Sequence, residues 1–537
     1  MTTPQGPAAG DAYDRLPYPS HPFSHTHPDR LHVIGRLIGL DPAPVDGCRV
    51  LELGCAAGGN LIPLALELPG RFVGVDASRV QIEEGQRVLA RLGVRAGVEL
   101  VAADLLAVTP QMLGEFDYVI CHGVYSWVPP AVQRQILALA RGCLAPRGVA
   151  YVSYNTYPGW HLRAMIRDMC RYHARQFDEP LVAVEQARRL LEFLSRSASV
   201  ERGAYALLLQ EELRVLATQS DSYLFHEHLE EHNEPLYFHE LVARAGAAGL
   251  RYLGEASPGE TLRTLRPQDL GEDGARGSPA AVQAEQYRDF VLSRRFRTSL
   301  FLRDDAPVPG AALAERVAGL FVAGRATPHE GPTPPDDAPG PFLTLGPSAG
   351  PDAGPPRLWR TRWGGVMRSS SPGLAAVLDR LEAAWPQVVR WAEVEALAAD
   401  HGLAAPDLAE ALLVGFGHDV LELRPRRLEV APRVAERPRS SDLVRLQLED
   451  PAREVVSSQR HEMAQTDRFD RSLLRALDGT RDAAGLVEAA MADVAAGRLR
   501  VAREDGVVPE GDALREVLAE AVGPRLQRLL ERSLLIA

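Results

Sequence analysis

The sequence predicts an open, mostly parallel α/β sheet with helices on both faces, followed by a helix-rich carboxyl-terminal domain. Three observations predict this fold class. Short apolar runs alternate with amphipathic segments over residues 48–155, which is typical of parallel strands joined by helices. A turn of small residues follows the first apolar run, at the edge where such sheets bind ligands. Beyond residue 359, apolar side chains recur mainly at helical spacing.

The first five strands are predicted from apolar runs that stop at a glycine, an acidic residue or a loop. They are, in chain order, Cys48–Leu53, Phe72–Val75, Val98–Ala102, Phe116–Cys121 and Val149–Tyr154. A turn at Pro146–Gly148 is expected directly before the fifth strand. The alternation with helices predicts that the carboxyl ends of these strands lie at one edge of the sheet.

Three helices are predicted between these strands from the spacing of apolar side chains. The first begins at Asn60 and tolerates Pro63 in its first turn. The second runs from Ser78 to Leu92, with the Ser78 side chain as its amino-terminal cap. The third carries the apolar residues Val132, Ile136, Ala140 and Cys143.

The middle of the chain is divided by periodicity and composition. Residues 161–220 are predicted to be helical, and a helix over Leu236–Gly249 precedes the last strands of the same sheet, Leu250–Glu255 and Thr298–Leu302. Proline, glycine, alanine and aspartate dominate residues 304–358, which is typical of a linker or a loosely packed strap.

Two similar helical units are predicted after the linker. One opens at Ser371, with serine as cap and a proline in the first turn, and the other begins at Phe469 and stops at Gly479. They are interpreted as small winged-helix modules. The predicted domains are an amino-terminal lid segment 1–47, a ligand-binding core 48–160, a helical insertion with the last strands 161–303, a linker 304–358 and a winged-helix-like carboxyl-terminal domain 359–537.

Composition and charge exclude several classes of protein. The formal net charge is −12 and no basic block or stripe is present, so nucleic acid is not expected as a partner. No apolar run approaches the roughly 20 residues of a membrane span. The first residues lack the pattern of a secretory signal, so a cytoplasmic location is expected. The cysteines form no C-x-x-C pair, which predicts reduced thiols and argues against a disulfide framework or a zinc ribbon.

The strongest motif is the segment Leu51–Asn60, LELGCAAGGN, in which a strand runs into a turn of glycine and alanine. Such a turn lets a ligand lie against bare backbone. It differs from the G-x-G-x-x-G of dinucleotide sites, and Glu52 at the strand end favours a cationic ligand such as S-adenosylmethionine over a pyrophosphate. Asp76 and Asp104, at the ends of the next two strands, are predicted to bind the ribose and to flank the adenine. The alternative is a structural turn with solvated carboxylates.

Aromatic and histidine side chains follow the fourth and fifth strands, beside the expected position of the cofactor's methyl group. The two segments are CHGVYSWVP, residues 121–129, and YNTYPGWH, residues 154–161. Tyrosine, tryptophan and histidine side chains can exclude water and present π-faces to a cationic centre. The alternative is that Trp127 and Trp160 anchor loops to the core.

Two further histidine-rich segments have open interpretations. Residues 13–28, YDRLPYPSHPFSHTHP, are interpreted either as an ordered lid over the site or as a strap over the sheet edge. Residues 225–234, FHEHLEEHNE, place His228 and His232 at i, i+4 spacing, but nothing else in the sequence defines a metal site. A polar helix face or an acidic wall of the substrate cleft is the preferred interpretation.

Several of these strings together resemble one family. The segments YDRLPYPSHPF, ELGCAAGGNLIPLAL, GVDASRVQIEEGQ, FDYVICHGVYSWVP, YVSYNTYPGWHLRAMIRDM, YLFHEHLEEHNEPLYFHEL and FDRSLLRALDGTRDAAGLVEA are similar to bacterial class I S-adenosylmethionine-dependent methyltransferases that carry a methyltransferase regulatory domain. The resemblance covers nearly the whole chain. HGVYSWVP and YNTYPGWHLR are its most specific parts, because most class I methyltransferases share the glycine turn.

The resemblance implies a Rossmann-like methyltransferase sheet with a helical insertion, and S-adenosylmethionine as the cofactor. The residues expected to bind it are Glu52, Gly54, Cys55, Ala56, Gly58, Asp76, Ala77, Asp104, Leu105 and His122. The catalytic residues expected around the acceptor are His122, Tyr125, Trp127 and Tyr157. Family members often have glycine where this chain has Ala56, and the extra methyl group is expected to shift the loop slightly.

The best-known members of this family are protein lysine methyltransferases that act on outer-membrane proteins. The resemblance therefore implies a lysine of a protein or peptide as the acceptor. We assign no metal and no dedicated general base. Two alternatives stay open: a methyltransferase for a small molecule or a modified peptide, and a cofactor-binding regulator without catalysis. Residues 160–300 resemble the family's regulatory and dimerisation elements, which makes a homodimer one of the expected assemblies.

Overall fold

The structure is a computed structural model of the chain. It describes residue 16 and residues 19–94, 96–197, 203–216, 219–259, 278–307, 314–330, 342–347, 355–361, 364–451, 453–502 and 508–537. The first part of the expected lid, including Tyr13 and Tyr18, lies outside the described residues.

A seven-stranded sheet forms the centre of the first half of the chain. Its strands are β1 Cys48–Leu53, β2 Gly70–Asp76, β3 Val98–Ala102, β4 Phe116–Cys121, β5 Leu144–Asn155, β6 Leu250–Glu255 and β7 Phe296–Arg303. They lie in the order β3-β2-β1-β4-β5-β7-β6. Strands β1 to β5 pair in parallel, and β7 runs antiparallel to β5 and β6. The predicted open sheet is confirmed, and the carboxyl ends of β1 to β5 share one edge.

Helices cover both faces of this sheet and continue into an insertion after β5. In chain order they are α1 Pro28–Leu37, α2 Leu61–Glu67, α3 Arg79–Arg91, α4 Pro110–Leu113, α5 Pro130–Cys143, α6 Trp160–Ala174, α7 Pro180–Ser197, α8 Ala204–Leu216, α9 Asp221–Leu224, α10 Phe238–Ala247 and α11 Pro279–Leu292. The Ser78 side chain caps α3, as predicted. Helix α11 escaped prediction because its buried face carries Glu285, Gln286 and Asp289 in place of an apolar stripe.

Shorter strands and further helices follow in the described part of the remaining chain. The strands are β8 Phe321–Ala323, β9 Ala326–Pro328, β10 Phe342–Thr344, β11 Arg357–Thr361, β12 Val366–Ser369, β13 Val389–Arg390, β14 Glu422–Arg424, β15 Val455–Ser457 and β16 Met463–Gln465. The helices are α12 Pro372–Ala384, α13 Trp391–Asp400, α14 Ala405–Gly417, α15 Asp442–Gln447, α16 Arg468–Ala476, α17 Ala483–Ala495 and α18 Gly511–Glu531. None of the helices in the described ranges is long and apolar enough to cross a membrane.

Apolar cores lie on both faces of the large sheet. On one face, Leu51 and Val73 pack with residues of α5 and α10. On the other face, Val50 and Phe72 belong to a core that continues through residues 317–423. The last part of the chain has its own core, between residues 431 and 535. The first part of the carboxyl-terminal half is therefore packed against the sheet through shared apolar surface.

The prediction that residues 304–358 form a linker is wrong for the described part of that span. Strand β8 is the middle strand of a three-stranded sheet with β13 and β14. Leu320 and Val322 are buried in the core shared with the large sheet. Strands of three residues are too short to show an alternating pattern, and the surrounding prolines and glycines dominate the composition.

The prediction of a turn at Pro146–Gly148 before β5 is also wrong. The strand begins at Leu144, which pairs with Phe116, and the register then moves to Val149 opposite Tyr118. The extra residues of β5 are accommodated as an irregularity within the strand, so Pro146–Gly148 does not separate two elements.

Candidate cofactor and acceptor site

The loop after β1 makes a tight turn at the carboxyl edge of the sheet. Gly54 has a φ of +77°, and a Cβ there would lie 2.3 Å from the Val124 side chain, so glycine is required. Cys55 is buried, and its backbone oxygen accepts a hydrogen bond from the Gly58 N–H at 2.9 Å. Ala56 has a φ of +49°. This left-handed conformation costs an alanine about 1–2 kcal/mol, which agrees with the glycine that the resembled family often has there.

The Asp76 carboxylate supports this loop from the end of β2. Its two oxygens accept hydrogen bonds from the Ala56 and Ser78 N–H groups, each at 2.8 Å. Asp76 is partly exposed, and Ala77 beside it is exposed. A carboxylate has about four lone-pair positions, so both oxygens keep capacity for ligand hydroxyl groups.

Asp104 and Leu105 follow β3 at the same edge. The Ala103 N–H donates to the Asp76 backbone oxygen at 2.8 Å, which brings the ends of β2 and β3 together. Asp104 is exposed, and its Oδ1 accepts a hydrogen bond from the Leu106 N–H at 2.9 Å. The Leu105 side chain is buried in the core, so its backbone is the part left for a ligand.

Glu52 is a buried carboxyl group beneath the loop. Its Oε1 accepts a hydrogen bond from Nδ2 of Asn60 at 2.8 Å. Its Oε2 has no hydrogen-bond partner among the described residues. Burial raises the pKa of Glu52 to about 8, although the Asn60 hydrogen bond opposes the rise. A buried carboxyl group with one unpartnered oxygen fits a positively charged ligand beside it.

His122 leaves the carboxyl end of β4 and enters a cluster of rings. Its ring centroid lies 4.0 Å from that of Phe23, 5.0 Å from that of His25 and 6.2 Å from that of Phe296. Its Nδ1 lies at hydrogen-bond distance, 2.9 Å, from the Tyr151 hydroxyl. Burial lowers the pKa of His122 to about 4 and the pKa of His25 well below its ordinary value. The cluster is therefore uncharged at neutral pH.

Tyr157 and Trp127 belong to two other ring clusters. The Tyr157 ring is stacked on His161 at 4.0 Å between centroids, and Tyr237 lies 5.3 Å away. Trp127 meets Trp160 edge to face at 6.1 Å. The ring contacts of the described residues thus place His122, Tyr157 and Trp127 in separate groups.

Strand pairing links the His122 cluster to Tyr157. Phe296, whose ring contacts His122, pairs in the sheet with Asn155, two residues before Tyr157. Phe296 is 42% exposed. An exposed ring that contacts His122 therefore lies on the strand beside the segment that leads to Tyr157.

The structure buries Tyr125, which we expected near the acceptor. The chain forms a short 3-10 turn at Tyr125–Trp127, and Tyr125 is 0% exposed, with its ring in the core beside α5. The Gln133 side chain donates to its backbone oxygen at 3.0 Å, which holds the turn. Burial raises the pKa of the Tyr125 hydroxyl to about 12. Tyr125 thus packs in the core beneath the site, and its role toward an acceptor stays a prediction.

Two of the three histidines of residues 225–234 lie beside carboxylates. Nδ1 of His226 lies 3.3 Å from Glu230, and Nε2 of His228 lies 3.1 Å from Glu212. Both histidines are buried, and the interpretation of this segment as a polar helix face or an acidic wall of the cleft stays a prediction.

One group of described residues has metal-ligand atoms close together, namely His27, Asp29 and Glu67. Arg424 pairs with Asp29, and Arg426 pairs with both Asp29 and Glu67. The guanidinium groups already neutralise these carboxylates, so the group is an ion-pair network between α1 and the carboxyl-terminal half.

Sequence reasoning missed several residues that support the site. Oγ of Ser20 accepts a hydrogen bond from the Gly59 N–H at 2.7 Å, and Oδ1 of Asn60 accepts one from the Phe23 N–H at 3.0 Å. These bonds place the amino-terminal segment on the cofactor loop. His461 also reaches Oδ1 of Asn60, at 2.7 Å. Serine and asparagine are common in turns and caps, so their presence did not indicate a role in the site. The many rings of the amino-terminal segment were the sequence feature that pointed to it.

Three family models match the chain. A methyltransferase domain matches residues 50–148, a predicted methyltransferase regulatory domain matches residues 220–303, and a PKMT C-terminal winged helix domain matches residues 436–534. The first match covers strands β1 to β4 and the start of β5. The second covers β6 and β7 with the helices before them, and the third covers the unit that contains β15 and β16.

One relative and one solved structure match nearly the whole chain, and a second relative matches less than half of it. An uncharacterised protein of Rickettsia prowazekii is 30% identical over 531 residues, 98% of this chain and 93% of its own. A second protein of that organism, also uncharacterised, is 40% identical over 235 residues, 44% of this chain and 93% of its own. The solved structure of PKMT2 from Rickettsia typhi in complex with AdoHcy is 26% identical, with a TM-score of 0.80 over 97% of this chain and 100% of that one.

The strand order, the small-residue turn and the matched methyltransferase domain define a class I S-adenosylmethionine-dependent methyltransferase. The chain belongs to the family of these enzymes that combines the methyltransferase domain with the regulatory domain and the PKMT winged-helix domain. The site fits the cofactor of this class, because the buried Glu52 has an unpartnered Oε2 that suits a cationic ligand and the partly exposed Asp76 can accept ligand hydroxyl groups.

We expect Glu52 to make cofactor binding release a proton. With a pKa of about 8 the carboxyl group is mostly protonated at pH 7, and a cationic ligand favours its ionised form. The affinity for S-adenosylmethionine should therefore rise with pH up to about 8 and then level off. Calorimetry at neutral pH in buffers of different ionisation enthalpy measures the released proton.

Glu52→Gln is the matched control for this expectation. Glutamine keeps the shape and cannot ionise, and any ionisation of the cofactor itself is common to both proteins. Equal proton release by the wild type and by Glu52→Gln would contradict the assignment of Glu52 to the cofactor.

Proposed function

We propose that the protein transfers the methyl group of S-adenosylmethionine to the side-chain amine of a lysine in a protein or peptide. The similarity to PKMT2, over 97% of this chain, supports a protein acceptor. The structural observation that carries the proposal is the uncharged ring cluster of Phe23, His25, His122 and Phe296 at the end of β4.

The chemistry of an amine acceptor explains why such surroundings matter. When bound, S-adenosylmethionine supplies a methyl group that its sulfonium makes electrophilic. A lysine ammonium with a pKa of about 10.4 must first lose a proton, which costs about 4.6 kcal/mol at pH 7. Neutral rings that exclude water disfavour the ammonium and so lower this cost. Alignment of the amine with the methyl group can supply roughly 7–11 kcal/mol more.

The proposed roles divide along the sheet edge. Glu52, Asp76 and the loop at Gly54–Gly58 hold the cofactor, and Tyr157 lines the approach of the acceptor. Trp127 packs on Trp160, which fits the alternative that it anchors its loop. We therefore propose Tyr157 in preference to Trp127 as an acceptor contact.

Transfer of label from methyl-labelled S-adenosylmethionine tests the acceptor class. The pure enzyme is incubated with a lysate of its own cells, and the products are separated and hydrolysed. Label in protein bands that yields methyl-lysine is the expected result. Label confined to the small-molecule fraction would overturn the proposal in favour of a small-molecule methyltransferase. Cofactor binding without any transfer would favour a regulator.

Removal of the Tyr157 hydroxyl is expected to slow methyl transfer. Tyr157→Phe keeps the ring on His161 and deletes a hydroxyl that can hydrogen-bond an amine, so kcat should fall about tenfold, which corresponds to a barrier higher by about 1.4 kcal/mol. The affinity for S-adenosylmethionine should stay unchanged. Tyr172→Phe, on the exposed side of α6, is the matched control. A wild-type kcat in Tyr157→Phe would leave the hydroxyl without a catalytic role.

A further inference from the structure

The Asn60 side chain joins three parts of the chain that are far apart in sequence. Its Oδ1 accepts a hydrogen bond from the Phe23 N–H at 3.0 Å and lies 2.7 Å from Nε2 of His461. Its Nδ2 donates to Oε1 of Glu52 at 2.8 Å. One amide thus connects the amino-terminal segment, strand β1 and the tip of the β15–β16 hairpin in the carboxyl-terminal domain.

The hydrogen-bond pattern determines the protonation of His461. A backbone N–H can only donate, so the Asn60 atom that faces Phe23 is its oxygen, and that oxygen can only accept. Nε2 of His461 must therefore carry a proton. Burial lowers the pKa of His461 well below its ordinary value, and the neighbouring His27 lowers it further. The ring is neutral, with its single proton on Nε2.

The contact between His461 and Asn60 is made although it is locally unfavourable for both residues. Asn60 is the N-cap residue of α2, where an asparagine side chain normally accepts a hydrogen bond from the helix, yet it makes none. His461 has a φ of +57°, a strained conformation that costs of order 1–3 kcal/mol. Both residues are buried. The hydrogen bond from Nε2–H to the amide oxygen is thus made at the expense of the helix cap at Asn60 and of a relaxed backbone at His461.

The same domain also contacts the amino-terminal segment that lies on the cofactor loop. A guanidinium N–H of Arg453 donates to the backbone oxygen of Ser20 at 3.2 Å, and Oγ of Ser20 accepts the Gly59 N–H. The Arg91–Glu449 ion pair also joins the two parts of the chain, but both side chains are 55% exposed. Exposed pairs of this kind contribute little, so the buried contacts determine how the hairpin meets the loop.

We propose that His461 is a positioning residue of the cofactor site, and that the winged-helix hairpin completes this site by holding the Asn60 amide with its Nδ2 toward Glu52. The proposal rests on the proposed role of Glu52 in binding the cofactor and is independent of the acceptor. Without the Nε2–H donor, the amide loses one of the groups that set its orientation. Its oxygen can then turn toward Glu52, where it disfavours the ionised carboxylate that a bound cationic cofactor requires.

Calorimetric binding of S-adenosylmethionine to the full chain tests the proposal, with folding checked by thermal unfolding. His461→Ala should weaken the affinity about tenfold, which equals about 1.4 kcal/mol. His461→Gln can donate from nearly the position of Nε2 and should restore most of the affinity. Glu449→Ala removes the exposed contact between the same parts and should bind as the wild type does.

A double-mutant cycle with Glu52 separates positioning from a general loosening of the domain. If His461 acts through Asn60 and Glu52, the effect of His461→Ala should largely disappear in a Glu52→Gln background. Wild-type affinity in folded His461→Ala, equal weakness of the Ala and Gln variants, or additive effects in the cycle would overturn the proposal. If lysine proves not to be the methyl acceptor, these results for cofactor binding do not change. The single variant Glu52→Gln shows separately whether Glu52 contributes to cofactor binding.

Discussion

Replacing Asp76 with alanine is expected to weaken the binding of S-adenosylmethionine by about 1–3 kcal/mol, or roughly 5- to 150-fold. The carboxylate accepts the Ala56 and Ser78 N–H groups at 2.8 Å each, and we expect it to bind the ribose hydroxyls as well. Alanine removes all these acceptors at once. The strained turn at Ala56 then loses its support in addition to the direct contact with the ligand.

Calorimetry on the folded variant measures this loss. Asp41→Ala is the matched control, because the Asp41 side chain is 88% exposed and pairs with Arg147 on the surface. The control should bind the cofactor with nearly unchanged affinity. Asp76→Asn keeps one acceptor oxygen and should fall between the two. Unchanged affinity in folded Asp76→Ala would contradict the ribose assignment.

Replacing Arg297 with leucine is expected to lower the free energy of unfolding by about 3–5 kcal/mol. Arg297 in β7 is 0% exposed, and its guanidinium lies 2.6 Å from Glu255, 2.8 Å from Asp289 and 3.2 Å from Glu285. It also lies 4.0 Å from the centre of the Phe238 ring. Leucine can fill much of the volume, but it removes the cation that these three buried carboxylates share.

The loss of unfolding free energy in Arg297→Leu should depend on pH, and the ionisation of the buried carboxyl groups determines the direction of this dependence. Burial already raises the pKa of Asp289 while Arg297 lowers it, so the folded-state pKa rises further in Arg297→Leu. A carboxyl group with a raised folded-state pKa destabilises the fold progressively as pH rises from its unfolded to its folded value. The deficit should therefore be larger at neutral pH than in mild acid.

Urea unfolding at the two pH values measures this expectation. Arg303→Leu is the matched control in the same strand, because Arg303 pairs with the 55% exposed Asp305, and it should cost less than about 1 kcal/mol. A variant Arg297→Leu as stable as the control, or a deficit independent of pH, would show that the buried ion pairs do not stabilise this edge of the sheet.

Much of the catalytic sheet could be predicted from local sequence. Strands β1, β3, β4 and β6 have the predicted bounds, because each is a short, mostly apolar run with a clear end. The Ser78 and Ser371 caps were predictable for the same reason, since a cap bonds a residue three positions away. Helix α11 and strand β8 were missed, the first because its buried face is polar and the second because it is three residues long.

The candidate site divides in the same way. The small-residue turn, Glu52 and Asp76 sit at strand ends in one short stretch, so their order along the chain already places them at one sheet edge. Tyr125 and Trp127 are two residues apart, yet the 3-10 turn that contains them buries Tyr125 completely and leaves Trp127 partly exposed. Spacing along the sequence did not distinguish these two positions.

The sequence by itself determined the class of sheet, the turn that suits a sulfonium cofactor and the family resemblance. Each of these depends on residues close together in the chain or on composition. Tertiary structure decided that His461 meets Asn60, that Arg297 lies among carboxylates of β6 and α11, and that residues 317–423 share a core with the sheet. Polar side chains have many acceptable partners, and only the packing of whole helices and strands determines which of them come within hydrogen-bond distance.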